Sequence, residues 1–165
     1  MLRMVHDHDN WNAEARGETP MQRADRAYGE ILQEVRVAQT GVQILFAFLL
    51  TAAFSARAGE LTGARQTAYV VSVIASMLAA VALMAPVVVH RVLFRHGAKD
   101  RLVTAAQWLT VAGMALLAVS IVSAVWVVLD LVVRGAAATV LTVGCGLVLV
   151  LVWVVLPAAL HRGLR

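Results

Sequence analysis

Four long apolar segments, separated by short polar stretches, dominate this chain of 165 residues. Hydrophobic residues make up 61% of the chain and charged residues 15%, whereas soluble domains have roughly 45–50% and about 25%. A soluble domain of this size has too little interior to bury so many apolar side chains. The segments predict an all-α integral membrane four-helix bundle with spans at residues 37–56, 67–90, 102–133 and 136–160.

The polar segment before the first span divides into two parts. Residues 1–18 lack periodicity and predict a disordered cytoplasmic tail, whereas Thr19, Pro20 and Gln22 predict the capped start of a helix. The residues that follow repeat one apolar face at helical spacing: Tyr28, Ile31, Leu32 and Val35. This pattern predicts an amphipathic cytoplasmic helix over residues 19–36, whose apolar stripe lies either on the lipid surface or on a partner helix.

Basic residues are unevenly distributed between the two sides that four spans define. The N-terminal segment, the loop at residues 91–101 and the basic tail at residues 161–165 together carry eleven Arg and Lys residues, and the other two connections carry three. Because cytoplasmic loops carry the excess of basic residues, both termini are expected in the cytoplasm, with the chain in a bacterial inner membrane. If the first and least apolar segment did not cross, the basic residues would divide seven against seven, so charge also supports this span.

Two stretches of the sequence carry a family resemblance. The first is residues 32–50, LQEVRVAQTGVQILFAFLL, and the second joins Ala85-Pro86 and His90-Arg91 to FRHGAK at residues 94–99. Together they resemble an uncharacterised family of small bacterial four-helix membrane proteins, domain of unknown function 6328, over about residues 31–131. The resemblance implies a multi-pass membrane protein and supplies no activity, ligand or partner.

A polar stripe on the first span is the main candidate for a functional surface. Arg36, Gln39, Thr40 and Gln43 follow i, i+3, i+4, i+7 spacing and share one helix face. Amides in hydrocarbon need hydrogen-bond partners, because an unpaired amide is costly there. Three interpretations stay open: bonds that hold this helix to its neighbours, a polar lining for a pore or solute site, or a surface near the headgroups.

Small residues recur at helical spacing in the second and third spans. They are Ser72, Ser76 and Ala80 in the second span and Gly113, Ser120 and Ser123 in the third. Small side chains let helix backbones approach closely in a membrane, so these positions predict helix-packing faces.

Two clusters of charge lie at the ends of the spans. His90, Arg91, Arg95, Lys99 and Arg101 form a basic cytoplasmic rim, which either contacts anionic lipids or only sets the topology. Asp130 is the only acid inside a predicted span, and Arg134 follows it four residues later. That spacing predicts an ion pair at the outer interface.

The sequence offers no residue constellation for catalysis, for a cofactor or for a metal. Ser120, Ser123 and Cys145 have no His, Lys or acid at a comparable depth, so we expect no enzyme activity. A net charge of +4 is too small and too scattered to predict a nucleic-acid partner. We expect a structural or accessory protein that contacts lipid, its own copies or a membrane complex. The alternative is an oligomeric pore or small-solute carrier lined by the polar stripe.

Overall fold

The computed structural model describes residues 17, 19–55, 58–93 and 99–163, and it is helical throughout the long apolar segments. Helix α1 is Pro20–Ala53, α2 is Ala64–Leu93 and α3 is Lys99–Val132. Helix α4 is Ala136–Val150, and a π-helical turn at Leu151–Val155 connects it to α5, Leu156–Gly163. The tail predicted for residues 1–18 lies outside the described residues, apart from Gly17.

The predicted start of the first helix is confirmed in atomic detail. The side chain of Gln22 accepts a hydrogen bond from the Thr19 N–H at 2.9 Å, and the Gln22 N–H donates to Thr19 Oγ1 at 3.3 Å. This reciprocal capping box, with Pro20 in the first turn, satisfies backbone groups that a helix end leaves without intrahelical partners.

Helix α1 runs without a break through residue 36, where the sequence suggests a boundary between an amphipathic helix and the first span. The apolar stripe of its first half packs on the neighbouring helices of the same chain. Tyr28 and Val35 are buried, and the Tyr28 hydroxyl donates a hydrogen bond to the carbonyl of Pro86 in α2 at 2.5 Å. Of the two sequence interpretations of this stripe, the partner helix is the one that the fold realises.

Helices α1, α2 and α3 pack into a three-helix core with a seven-residue rhythm. In α1 the buried side chains are Tyr28, Val35, Val42 and Leu49. In α3 the matching buried residues are Ala106, Gly113, Ser120 and Val127. A seven-residue repeat keeps one seam of each helix facing its partners, as in left-handed coiled coils. The cluster at the centre of the core contains Val42, Ala79, Leu83 and Leu117.

The fourth apolar segment lies beside this core and packs chiefly on α3. Ala138 and Thr142 are its buried residues, and all side chains from 150 to 162 are exposed. Its apolar residues surround the helix, so no single stripe directs it toward the core. The π-helical turn ends two residues before Pro157, which has no N–H to continue the regular hydrogen-bond pattern.

Four helical segments of the described chain are long and apolar enough to cross a membrane: Tyr28–Ala53, Ala64–Val88, Thr104–Val132 and Ala136–Arg162. Their outward faces carry exposed Val, Leu, Ile, Phe and Trp side chains, among them Phe48 at 58% and Trp108 at 72% exposure. Exposed apolar surface this extensive is unfavourable in water but suits contact with lipid. The all-helical fold class and the four apolar helices predicted from the sequence are confirmed.

Candidate functional site

The polar stripe lies on a flank of α1 and not inside the three-helix core. Gln39 is half-buried at the edge of the core, whereas Arg36, Thr40 and Gln43 are exposed. The buried seam of α1 passes through Val35 and Val42 on another side of the same helix. The four predicted residues therefore share one broad face, on which Gln39 borders the core and the other three point away from it.

Among the described residues, two of the four stripe side chains have hydrogen-bond partners. Gln39 Nε2 donates to the sulfur of Met84 in α2 at 3.3 Å, and Thr40 Oγ1 donates to the carbonyl of Arg36 at 3.0 Å. The first bond joins two helices, which is the packing role that the sequence allows for this stripe. Gln43 makes no hydrogen bond to any group in the part of the chain that the structure describes, although it lies well inside the span.

A reciprocal pair of serine bonds joins α2 to α3, and we call Ser72 and Ser120 the serine clasp. The Ser72 hydroxyl donates to the carbonyl of Ser120 at 3.0 Å, and the Ser120 hydroxyl donates to the carbonyl of Ser72 at 2.8 Å. Both side chains are fully buried. The clasp lets two backbones approach closely while every polar atom stays satisfied, so these small residues form a packing face as predicted.

The ion pair at Asp130 differs from the one that the sequence predicts. Asp130 Oδ2 accepts from Arg65 Nε at 2.6 Å, and Arg65 also reaches the backbone carbonyl of Asp130 at 3.3 Å. Helix α3 ends at Val132, and Arg134 is an exposed turn residue with a φ of 61°. Because Arg134 lies beyond the helix, i, i+4 geometry does not bring it onto Asp130, and Arg65 from the start of α2 is the bonded partner instead.

Asp130 also connects α3 to the start of α4. Its second oxygen, Oδ1, accepts a hydrogen bond from the N–H of Gly135 at 3.1 Å, and Gly135 is the residue that precedes α4. Gly135 has a φ of 68°, a left-handed conformation that glycine adopts without a steric penalty. One carboxylate therefore fixes both the beginning of α2 and the sharp turn between α3 and α4.

An apolar cavity of about 310 Å³ opens at the same end of the bundle as Asp130. Its walls come from the end of α1, the beginning of α2 and the end of α3, including Phe48, Leu49, Tyr69, Val127 and Leu131. The Tyr69 hydroxyl is already bonded to the carbonyl of Leu49 at 2.5 Å. A cavity with such walls suits hydrocarbon and offers little to a polar solute.

Four of the five residues of the basic rim lie at the ends of helices. His90 and Arg91 belong to α2, and Lys99 and Arg101 belong to α3, so the rim residues come from the facing ends of two packed helices. Arg95 lies outside the described residues.

A comparison of the sequence with models of protein families identifies the family of this chain. A model described as a family of unknown function, DUF6328, matches residues 17–157. This chain belongs to the DUF6328 family. No curated protein and no solved structure matches the chain. The resemblance drawn from the sequence is thus confirmed, over a longer stretch than the quoted motifs cover.

Sequence reasoning missed several contacts of this DUF6328 member. The sequence places Arg65 only in a polar connection between two apolar segments, and nothing local indicates its partner 65 residues later. The Tyr28 bond to Pro86 and the Tyr69 bond to Leu49 also depend on tertiary packing. By contrast, the seven-residue spacing of Tyr28, Val35, Val42 and Leu49 is visible in the sequence, and it identifies the buried seam of α1.

Proposed function

We propose that this DUF6328 protein is a structural or accessory component of a bacterial inner membrane and acts through contacts with helices and lipids. The observation that carries the proposal is that the buried polar side chains form hydrogen bonds to the backbone. The buried polar residues of the described chain, Ser72, Ser76, Ser120 and Thr142, all donate to backbone carbonyls. The Ser72 and Ser120 bonds join two helices, whereas the Ser76 and Thr142 bonds stay within their own helices. Polar groups used in this way support a role in helix contact.

The proposed orientation has both termini in the cytoplasm. Four spans place the two termini on one side, and eleven of the basic residues belong to that side. The positive-inside rule makes this side the cytoplasmic one. The outer connections are short, and the one between α3 and α4 covers only residues 133–135. Little of the chain is left to form an outer domain, which favours partners within the membrane.

The orientation has a direct test in reporter fusions expressed in bacteria. We expect a phosphatase that is active only outside the cytoplasm to be inactive when fused after Arg165 and active when inserted between Arg134 and Gly135. A fluorescent protein that folds only in the cytoplasm should give the opposite pattern. A phosphatase that is active after Arg165 would contradict the proposed orientation.

We propose that the basic rim binds anionic lipid headgroups. Each Lys or Arg near an anionic leaflet contributes about 1 kcal/mol. The rim has four such residues beside His90, and they offer a substantial surface: Arg91, Arg95, Lys99 and Arg101. Lipids retained by the protein after purification in mild detergent should then be enriched in anionic species over the source membrane. Replacing the four Arg and Lys residues with Gln should abolish this enrichment.

The second candidate function is an oligomeric pore or solute carrier, and exposed Gln43 is the observation that favours it. Apolar side chains fill the centre of the three-helix core in a single chain. A polar path would therefore have to form between copies. Liposome flux of ions and small solutes separates the two functions. A structural protein should give the flux of empty vesicles, and should co-purify with companions in mild detergent. A flux that Gln43→Leu abolishes would establish the pore and overturn the structural role.

A further inference from the structure

Gln43 is a membrane amide that this chain leaves without a hydrogen-bond partner among its described residues. It is seven residues beyond Arg36 on α1, so it lies about 10 Å deeper along the helix axis. Its side chain is exposed on the outer surface of the three-helix core, where a single chain would present it to hydrocarbon. Water is absent from that depth, so the amide needs a partner from outside the chain.

The surface around Gln43 is shaped for close approach. Arg36, Thr40, Gln43 and Ala47 follow one another at intervals of four, three and four residues, so they form one stripe, and all four are exposed. The Thr40 hydroxyl is already bonded to the carbonyl of Arg36, and the Thr51 hydroxyl is bonded to that of Ala47. Ala47 adds only a methyl group one turn from Gln43. A second helix can therefore pack closely at Gln43, whose amide still needs a partner.

We propose that the partner is a second copy of this chain, and that the two copies pack in parallel through this α1 face with Gln43 against Gln43. A carboxamide both donates and accepts hydrogen bonds, so two identical amides satisfy each other across a twofold axis. Copies of one chain insert with the same orientation, which makes the two α1 helices parallel. The proposal rests on the proposed function in one respect, because it requires α1 to span the membrane.

The positive charge of Arg36, on the same face, is compatible with a helix contact centred on Gln43 but not with one centred on Arg36. Two Arg36 side chains in direct contact would repel each other. Helices that cross at Gln43 diverge toward both ends, as crossed helix pairs in membranes do, and this separates the two guanidinium groups. Near the membrane surface, headgroups and water can then solvate each Arg36 side chain. The acids of this region, Glu30 and Glu34, lie on other faces of α1.

Disulfide cross-linking in native membranes tests the contact. In a chain with Cys145→Ala, single cysteines would be introduced as Gln43→Cys, Ala47→Cys and Phe48→Cys. Phe48 is the matched control, because it lies at nearly the same depth as Ala47 but on a different exposed face. After mild oxidation we expect covalent dimers at Gln43→Cys and Ala47→Cys, at least about ten-fold over Phe48→Cys.

A second variant tests the amide itself. Adding Gln43→Leu to the Ala47→Cys chain should lower the cross-linked fraction about ten-fold, equivalent to about 1.4 kcal/mol, which is in the range of interhelical hydrogen bonds in membranes. Gln43→Asn should retain most of it. Equal cross-linking at Ala47→Cys and Phe48→Cys, an unchanged yield in Gln43→Leu, or a product with a different protein would each overturn the dimer. A chain that leaves the membrane fraction would overturn the proposed function instead.

Discussion

Replacing Gly113 with leucine is expected to cause the largest loss of stability of any single substitution in the core. A Cβ atom at this position would lie 2.7 Å from Cγ and 2.8 Å from Cδ2 of Leu83, closer than side-chain carbons approach. Leu83 is fully buried, so it has no free space into which it can move. Overpacking of this kind costs about 1–3 kcal/mol and occasionally more. Unfolding of the purified protein by SDS, followed by tryptophan fluorescence, measures the change in free energy.

A matched glycine elsewhere in the chain provides the control for Gly113→Leu. Gly144 lies in α4, is exposed, and has no atom within 4 Å of an added Cβ. Gly144→Leu should change the free energy of unfolding by no more than about 0.5 kcal/mol. Leu83→Ala combined with Gly113→Leu should be more stable than the two single effects predict, because the smaller residue makes room. Equal losses at Gly113 and Gly144 would contradict the close α2–α3 contact.

The helices of this protein could be predicted from sequence because each signal is local. Apolar segments long enough to span a bilayer identify the four helices without knowledge of their neighbours. The Thr19 cap needs only residues within one turn, and it is found as predicted. The division placed after residue 36 stays a prediction, because α1 shows no break there that would mark it. A change from mixed to apolar composition marks where water gives way to lipid, and a helix can continue through that change.

The polar contacts were harder to predict because their partners are distant in sequence. Gln39 bonds to Met84 and Arg65 to Asp130, pairs separated by 45 and 65 residues. Sequence spacing offers Asp130 a partner four residues on, but that spacing presumes a helix that in fact ends at Val132. A stripe of polar residues shows that partners are needed without showing where they are. For Gln43 even the fold of one chain does not identify the hydrogen-bond partner, because none is found among the described residues.

Removing one member of the Arg65–Asp130 pair is expected to lower the thermal unfolding midpoint clearly, and removing both should restore much of it. The side chains of Arg65 and Asp130 are 25% and 14% exposed, so each single variant leaves a partly buried charge without its partner. An unpaired charge of this kind destabilises a fold more than the absence of both charges does. Arg65→Leu, Asp130→Leu and the double variant would be compared by thermal unfolding in mild detergent.

Arg134→Leu is the control that separates the pair found in the structure from the pair predicted by spacing. Arg134 is exposed and lies beyond the end of α3, so its loss removes a solvated charge whose attraction to Asp130 is weaker than that of the hydrogen-bonded Arg65. The drop in unfolding midpoint for Arg65→Leu should be at least about twice that for Arg134→Leu. Exposed ion pairs contribute little to stability, whereas removing one member of a buried pair is strongly destabilising. Asp130→Leu should lower the midpoint more than Arg65→Leu, since Asp130 also accepts the Gly135 N–H that fixes the turn into α4. Equal drops for Arg65→Leu and Arg134→Leu would instead favour the i, i+4 pair, and the start of α2 would then have no ionic link to α3.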